Sequence, residues 1–229
     1  MQNNLNNGRN IRGEIVDIFS DFKNRYDTPV IVEVSGTPNS GKTTTIESLE
    51  KLLKRSIPLK IKVLDESASR CKIKDKLSPD FNRWTISETI RMLTEMTCRN
   101  YDLVICERGI FDALCWAQFH FNNGKITQEE FNTMSKYFCL PSLLDKIRVL
   151  ILMKCKAETS ILRENVHGIV DTKGTIVNEE VLSSLNLAIE QTYEKYKEIF
   201  IESEVLDTTN LSPNDINEKF LDILLKRLK

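Results

Sequence analysis

Residues 29–55 read PVIVEVSGTPNSGKTTTIESLEKLLKR. The stretch opens with a nearly continuous apolar run of strand length and closes with apolar residues at helical spacing. Between the two, Gly36-Thr-Pro-Asn-Ser-Gly41-Lys42-Thr43 fits the pattern GxxxxGK[ST]. Glycines in such a loop let backbone N–H groups turn inward around phosphates. Lys42 then reaches the β and γ oxygens, the Thr43 hydroxyl ligates Mg²⁺, and the following helix adds the positive end of its dipole. Gly36, Asn39, Ser40, Gly41, Lys42, Thr43 and Thr44 are the expected nucleotide-binding residues, and ATP with Mg²⁺ the expected cofactors.

Outward from this loop, strand-like runs recur at 29–35, 59–66, 101–107, 147–153 and 204–207, with helical stretches between them. Short apolar strands alternating with helices predict βαβ units and a parallel sheet covered on both faces. Thr85-Ile-Ser-Glu88 and Thr127-Gln-Glu-Glu130 fit capping boxes, and Ser212-Pro213 offers a serine cap with proline in the first turn. Asn178 is expected to cap a long helix whose inward face carries Leu182, Leu185, Ile189, Tyr193 and Tyr196. No repeat or Pro/Gly-rich linker divides the chain, which reads as one α/β domain over 29–229 behind an extension over 1–28. Within the extension, Ile11, Ile15, Ile18, Phe19 and Phe22 predict an amphipathic helix over 11–25. Its apolar face either packs on the domain or docks a partner.

With 32 Lys+Arg against 33 Asp+Glu the net charge is −1, and 41% of the 229 residues are hydrophobic. That composition excludes a disordered chain and disfavours a dedicated duplex binder. No apolar run reaches the roughly 18 residues of a membrane span, and the polar start is unlike a signal peptide. Six scattered cysteines without a CxxC pair read as reduced core thiols, so the expected location is the cytoplasm, away from any membrane. His120 and His167 stand apart from any metal-ligand pattern.

The acid after the third run sorts the classes of phosphate-binding loop proteins. No N/T-K-x-D base-reading motif of a GTPase is present, and Asp171-Thr-Lys-Gly174 follows the wrong strand. AAA-type motors close the third strand with a pair of acids, whereas Glu107 here is followed by Arg108 and Gly109. An acid beside the loop can hold the Mg²⁺ shell, and an adjacent Arg can meet the acceptor or the moving phosphoryl group. Glu107-Arg108-Gly109, with Phe111, Asp112, Ala113, Leu114 and Trp116 after it, resembles the P-loop nucleoside and nucleotide kinases, whose thymidylate kinases carry DRY or DRS here and deoxynucleoside kinases ERS. Gly109 departs from the usual Tyr or Ser. The resemblance runs over about 29–229. It implies a three-layer αβα sandwich around a five-stranded parallel sheet, with a helical lid at about 154–177.

The same resemblance distributes further roles. Glu66, in a Glu66-Ser-Ala-Ser-Arg70 run like the E-x-A-x-R of ribosylnicotinamide kinases, takes the place of the carboxylate that activates an acceptor hydroxyl. Arg70, Trp84 and Arg99 are candidate acceptor contacts, beside Glu66 and Arg108. Arg163, ahead of Lys156 and Lys173, is the lid candidate for an internal arginine finger. Thr208 stands for the loop against adenine. Thymidylate kinase relatives are often dimers, so a homodimer is an open possibility.

The leading expectation is a Mg-ATP kinase of a nucleoside or nucleoside monophosphate, with Lys42, Glu66, Glu107, Arg108 and Arg163 catalytic, and Thr43 and Glu107 at the metal. Glu66 tilts the acceptor toward a free hydroxyl, because a phosphate acceptor is already anionic. One alternative is a kinase acting on a DNA or RNA hydroxyl, drawn by Lys72, Lys74, Lys76 and Arg83. Another is a nucleotide-sensing ATPase that docks a protein through the 11–25 helix.

Overall fold

The computed structural model describes residues 11–25, 29–56, 58–97, 100–167 and 176–229. Helix α1 (Ile11–Arg25) precedes β1 (Val30–Gly36), α2 (Lys42–Ser56) and β2 (Ile61–Leu64). After a single 3₁₀ turn at Ser67–Arg70 come α3 (Pro79–Thr97), β3 (Leu103–Glu107) and α4 (Ile110–Asn122). The chain continues through α5 (Gln128–Phe138), α6 (Pro141–Leu144), β4 (Ile147–Lys154) and α7 (Ala157–His167). It ends with α8 (Glu179–Tyr196), β5 (Glu202–Asp207) and α9 (Pro213–Leu228).

All five strands run parallel, in the order β2-β3-β1-β4-β5. Both faces of the sheet are covered, which explains why the strands read as apolar runs rather than as alternations. Val30, Val32 and Val34 of β1 face a core closed by α2, α9 and α1, where Leu53, Phe220 and Leu224 are buried. Ile31 faces the other core, under α4 and α8, with Phe111, Leu114 and Leu185. This is the expected three-layer sandwich. Ile15, Ile18 and Phe19 of α1 are buried in the first core, so these residues pack on the domain.

Thr127 and Ser212 both form capping boxes, and Asn178 caps α8 by accepting from Val181 N at 3.0 Å. The box expected at Thr85 does not exist. α3 already begins at Pro79, behind Ser78 Oγ, which accepts from Phe81 N at 3.2 Å. Thr85 is thus inside the helix, and its hydroxyl donates back to Asn82 O. Among the described residues, no helix is long and apolar enough to cross a membrane.

Candidate active site

The carboxyl ends of β1, β2 and β3 open into a cavity of about 850 Å³, where the order of the parallel strands reverses direction. β1 ends in Gly36, whose φ of +128° suits glycine alone. A Cβ there would lie 2.0 Å from Met153 O, so the loop can pass over β4 only without a side chain. Asn39 and Gly41 also take positive φ, and α2 starts at Lys42, pointing its N-terminus into the cradle.

Lys42 is 4% exposed and folds into that cradle. Its Nζ donates to Thr37 O at 2.7 Å, to Gly36 O at 3.2 Å and to Ser40 Oγ at 3.4 Å. Burial, helped by the nearby Arg108 charge, lowers its pKa to about 8 against the pull of Glu107 and Glu66. A bound phosphate would supply the missing counter-charge. Beside it, Thr43 Oγ1 donates to Glu107 Oε1 at 2.7 Å. Burial raises the Glu107 pKa, and the bond from Thr43 opposes that. A hydroxyl and a carboxylate together are hard oxygen donors that fit Mg²⁺ sharing its shell with phosphate oxygens and water. No cluster of three metal-ligating side chains exists among the described residues, so a cation here would lean on its nucleotide.

Arg108 sits at φ +60°, a left-handed conformation costing about 1 kcal/mol. Its backbone N donates to Val34 O, which ties the end of β3 to β1. The side chain is 14% exposed and lies between two acids. Nη1 donates to Asp112 Oδ1 at 2.6 Å and to Gly36 O at 3.3 Å. Nε lies 2.8 Å from Glu66 Oε1, an ion pair whose angle leaves the Nε–H without a hydrogen bond. Burial alone would weaken the charged form, but Asp112 and Glu66 outweigh it and raise the guanidinium's proton affinity. Asp112 is raised by its own burial, with Arg108 pulling the other way.

Beyond Glu66 the cavity wall is formed by Ser67, by Phe81, Asn82 and Thr85 of α3, and by Ala113 and Trp116 of α4, with Lys76 at its edge. The helical period of α3 turns Trp84 off this face, so Trp116 rather than Trp84 is the tryptophan of the site. Arg70 is also displaced from its expected place. Its Nη2 donates to Met92 Sδ and to Ser67 Oγ and lies 3.7 Å from Glu88, outside the cavity lining. Arg99 lies outside the described residues, as do Lys173 and the DxxG stretch.

At the opposite end, α7 holds the crest of the loop. Ser160 Oγ donates to Pro38 O at 2.8 Å, and Asn39 Nδ2 donates to Glu164 Oε2 at 2.9 Å. Arg163 donates to Asn39 O at 3.0 Å and to Thr208 O at 2.6 Å, and thereby staples the loop to the segment after β5. Arg163, expected as a finger, also lines the cavity. Thr208 is fully buried and donates to Ser40 O at 3.0 Å, so it supports the cradle from beneath, while Leu211, Pro213 and Asn217 line the cavity.

Asp112 is part of the kinase-like stretch but carries no role in the sequence reading, although its place four residues after Arg108 on a helix start could have marked it. Glu33 was passed over too, as a lone acid in the apolar run of β1. Asn186, which accepts from Thr37 Oγ1 at 2.8 Å, had no local signal.

A model of the AAA domain family matches residues 31–148, just over half of the chain. The chain belongs to the AAA domain family. Among curated proteins none matches this AAA domain in sequence. Among solved structures it is similar to deoxyadenosine kinase from M. mycoides with bound dATP, with a TM-score of 0.67 and 17% identity over 85% of this chain and 99% of that chain. The same enzyme with bound dCTP gives 0.62 and 18% over 86% and 100%. With products dCMP and a flexible dCDP bound it gives 0.66 and 17% over 86% and 100%. The likeness is one of fold, and at that level the AAA domain has the P-loop nucleoside kinase architecture. Its third strand still ends in one acid and an arginine, unlike the acid pair of AAA-type motors.

Proposed function

We propose that this AAA domain transfers the γ-phosphoryl group of Mg-ATP to a nucleoside or nucleoside monophosphate, with a free hydroxyl favoured as acceptor. The observation that carries this is one continuous cavity, running from Lys42 and Thr43 past Glu107 and Arg108 to Glu66. Donor and acceptor groups can meet in it without crossing solvent. The fold it shares with a deoxyadenosine kinase supports the reading.

In this reading the cradle N–H groups and Lys42 bind the β and γ phosphates. Thr43 and Glu107 would hold Mg²⁺, which would supply charge neutralisation at the phosphates. Glu66 accepts the acceptor's proton as the acceptor oxygen bonds to the γ-phosphorus and the bond to the β–γ bridging oxygen breaks, leaving ADP. Arg108, held between Glu66 and Asp112, faces the transferring oxygens. Arg163 keeps the loop in place for the nucleotide. Buried free cysteines such as Cys106 and Cys115 suit a reducing cytoplasm. The partner-docking alternative loses weight because Ile15, Ile18 and Phe19 are already covered by the domain.

The test is transfer of labelled γ-phosphate from ATP to a panel of nucleosides, nucleoside monophosphates and short oligonucleotides, with Lys42→Ala as blank. Label on one small acceptor is expected. Label only on inorganic phosphate, unchanged by every acceptor, would overturn the reading in favour of a sensing ATPase.

A further inference from the structure

Glu33 lies in the middle of β1, opposite Cys106 of β3 and Leu150 of β4, and is 0% exposed. Apart from Ser35, its surroundings on this face of the sheet are apolar, with Ile31, Val104 and Leu152 among them. A carboxylate survives there only if other groups replace the water it has lost. Those groups come largely from the first turn of α4. Glu33 Oε1 accepts from Phe111 N at 2.9 Å, from Asp112 N at 3.3 Å and from Ser35 Oγ at 2.7 Å. The residue at the cap of α4 is Gly109, which has no side chain to do this. With Glu33 in place there is no room for one, because a Cβ on Gly109 would meet the Glu33 carboxyl at 2.5 Å. Glu33 and Gly109 are therefore two halves of one device, a helix cap supplied from the neighbouring strand instead of from the loop.

The residue directly before Gly109 is Arg108, and the residue whose N–H donates the second bond to Glu33 is Asp112, the partner of Arg108. We propose that Glu33 is a positioning residue for phosphoryl transfer: by anchoring the first turn of α4 it fixes the left-handed turn at Arg108 and the Arg108–Asp112 pair over the cavity, with Gly109 as its obligatory counterpart. Glu33 touches no reacting atom, and it acts through Arg108. The proposal rests on the kinase reading of the site.

The conservative and the apolar variants separate this role from bulk stability. Glu33→Leu removes the acceptor without leaving a buried charge, so the fold and the ATP affinity should persist. The kcat for phosphoryl transfer should nevertheless fall about 10- to 100-fold, the scale of an ångström of misplacement. Glu33→Gln keeps an acceptor at Oε1 and should recover most of that loss. Glu33→Ala should be impaired, and adding Gly109→Ser to it should restore part of kcat, since serine can cap α4 once the carboxyl has gone. Gly109→Ser alone should be worse than wild type.

A pH profile gives a further readout. Burial raises the Glu33 carboxyl to about 7, and the titratable groups facing it are Asp112 and Cys115 on α4 and Cys106 on β3. The ionised carboxylate holds the α4 N–H groups more strongly. The wild-type kcat should therefore climb through about pH 7, and that limb should be missing in Glu33→Gln. A Glu33→Leu chain that folds and keeps kcat within twofold overturns the proposal, as does a limb that persists in Glu33→Gln. Absence of transfer by the wild-type chain itself, with every acceptor, overturns the kinase reading and the proposal with it.

Discussion

At the end of the cavity proposed for the phosphate donor, one contiguous loop, 36–43, is shaped mainly by its backbone: three positive φ angles and a glycine pressed against Met153 O. At the acceptor end the working groups are side chains brought from four separate places: Glu66 after β2, Asn82 and Thr85 on α3, Arg108 after β3, and Asp112 and Trp116 on α4. A backbone site accepts any molecule with the right phosphates, whereas a side-chain site can be cut to one acceptor. The donor end is also anchored from outside by α7, Thr208 and Asn186, while the acceptor end is anchored from beneath by Glu33. Substitutions at the two ends should consequently fail differently.

The largest effect belongs to the donor end. Lys42→Ala should lower transfer by about 10³-fold or more for every acceptor, since the proposed function makes Lys42 the cation of the γ-phosphate site. The melting temperature should hold or rise, because a buried ammonium has been removed. Gly36→Ala should act on the fold instead. With φ +128° and Met153 O in the way, it should cost about 3 kcal/mol or more, read as a lower urea midpoint.

The acceptor end should discriminate. Glu66→Gln should slow transfer to a nucleoside hydroxyl about 10²-fold or more and transfer to a monophosphate only mildly. Equal losses for both acceptors would mean that Glu66 merely orients Arg108.

The smallest effect concerns the wall behind the acceptor. His120 is fully buried on α4, and both its ring nitrogens lack a hydrogen-bond partner. Burial, with Lys125 and Arg83 nearby, lowers its pKa to about 4. A folded-state value below the unfolded one means that the fold holds fewer protons than the open chain between about 4 and 6.5. Stability from this group is therefore present above pH 6.5 and lost as pH falls toward 4, by on the order of 2 kcal/mol. Glu33 has the opposite sign, its raised value making stability fall as pH climbs from about 4.5 to 7. Urea titrations of His120→Leu and Glu33→Gln across pH 4 to 8 should bend in opposite directions relative to wild type.

The same contrast explains what could be read in advance. The phosphate loop was legible because its chemistry is local: a strand, glycines at fixed spacing, a lysine and a hydroxyl, then a helix. The five strands were legible because burial on both faces leaves unbroken apolar runs. Glu107 and Arg108 were legible as a strand end. The acceptor wall was not, since it depends on which face α3 turns inward, and that depends on where α3 starts. Ser78-Pro79 has the same serine-proline start as Ser212-Pro213, yet only the second stood out, and a cap was expected at Thr85, inside the helix. Trp84 was named as an acceptor contact, whereas Trp116 is the tryptophan that lines the cavity. Arg163 was expected as a lid finger and Thr208 beside adenine, and the hydrogen bonds that tie both to the phosphate loop had no signal in the sequence.

The order β2-β3-β1-β4-β5 places the loop strand in the centre. Segments that cross toward β3 bring Glu66 and α3, and segments that cross toward β4 bring α7 and the turn before α9. The two sets meet around the end of β1, where both line one cavity. Heritable change within 65–97 can thus redraw acceptor preference while the nucleotide half stays as it was, so a chain of this plan can diversify by exchanging one flank and leaving its energy source alone.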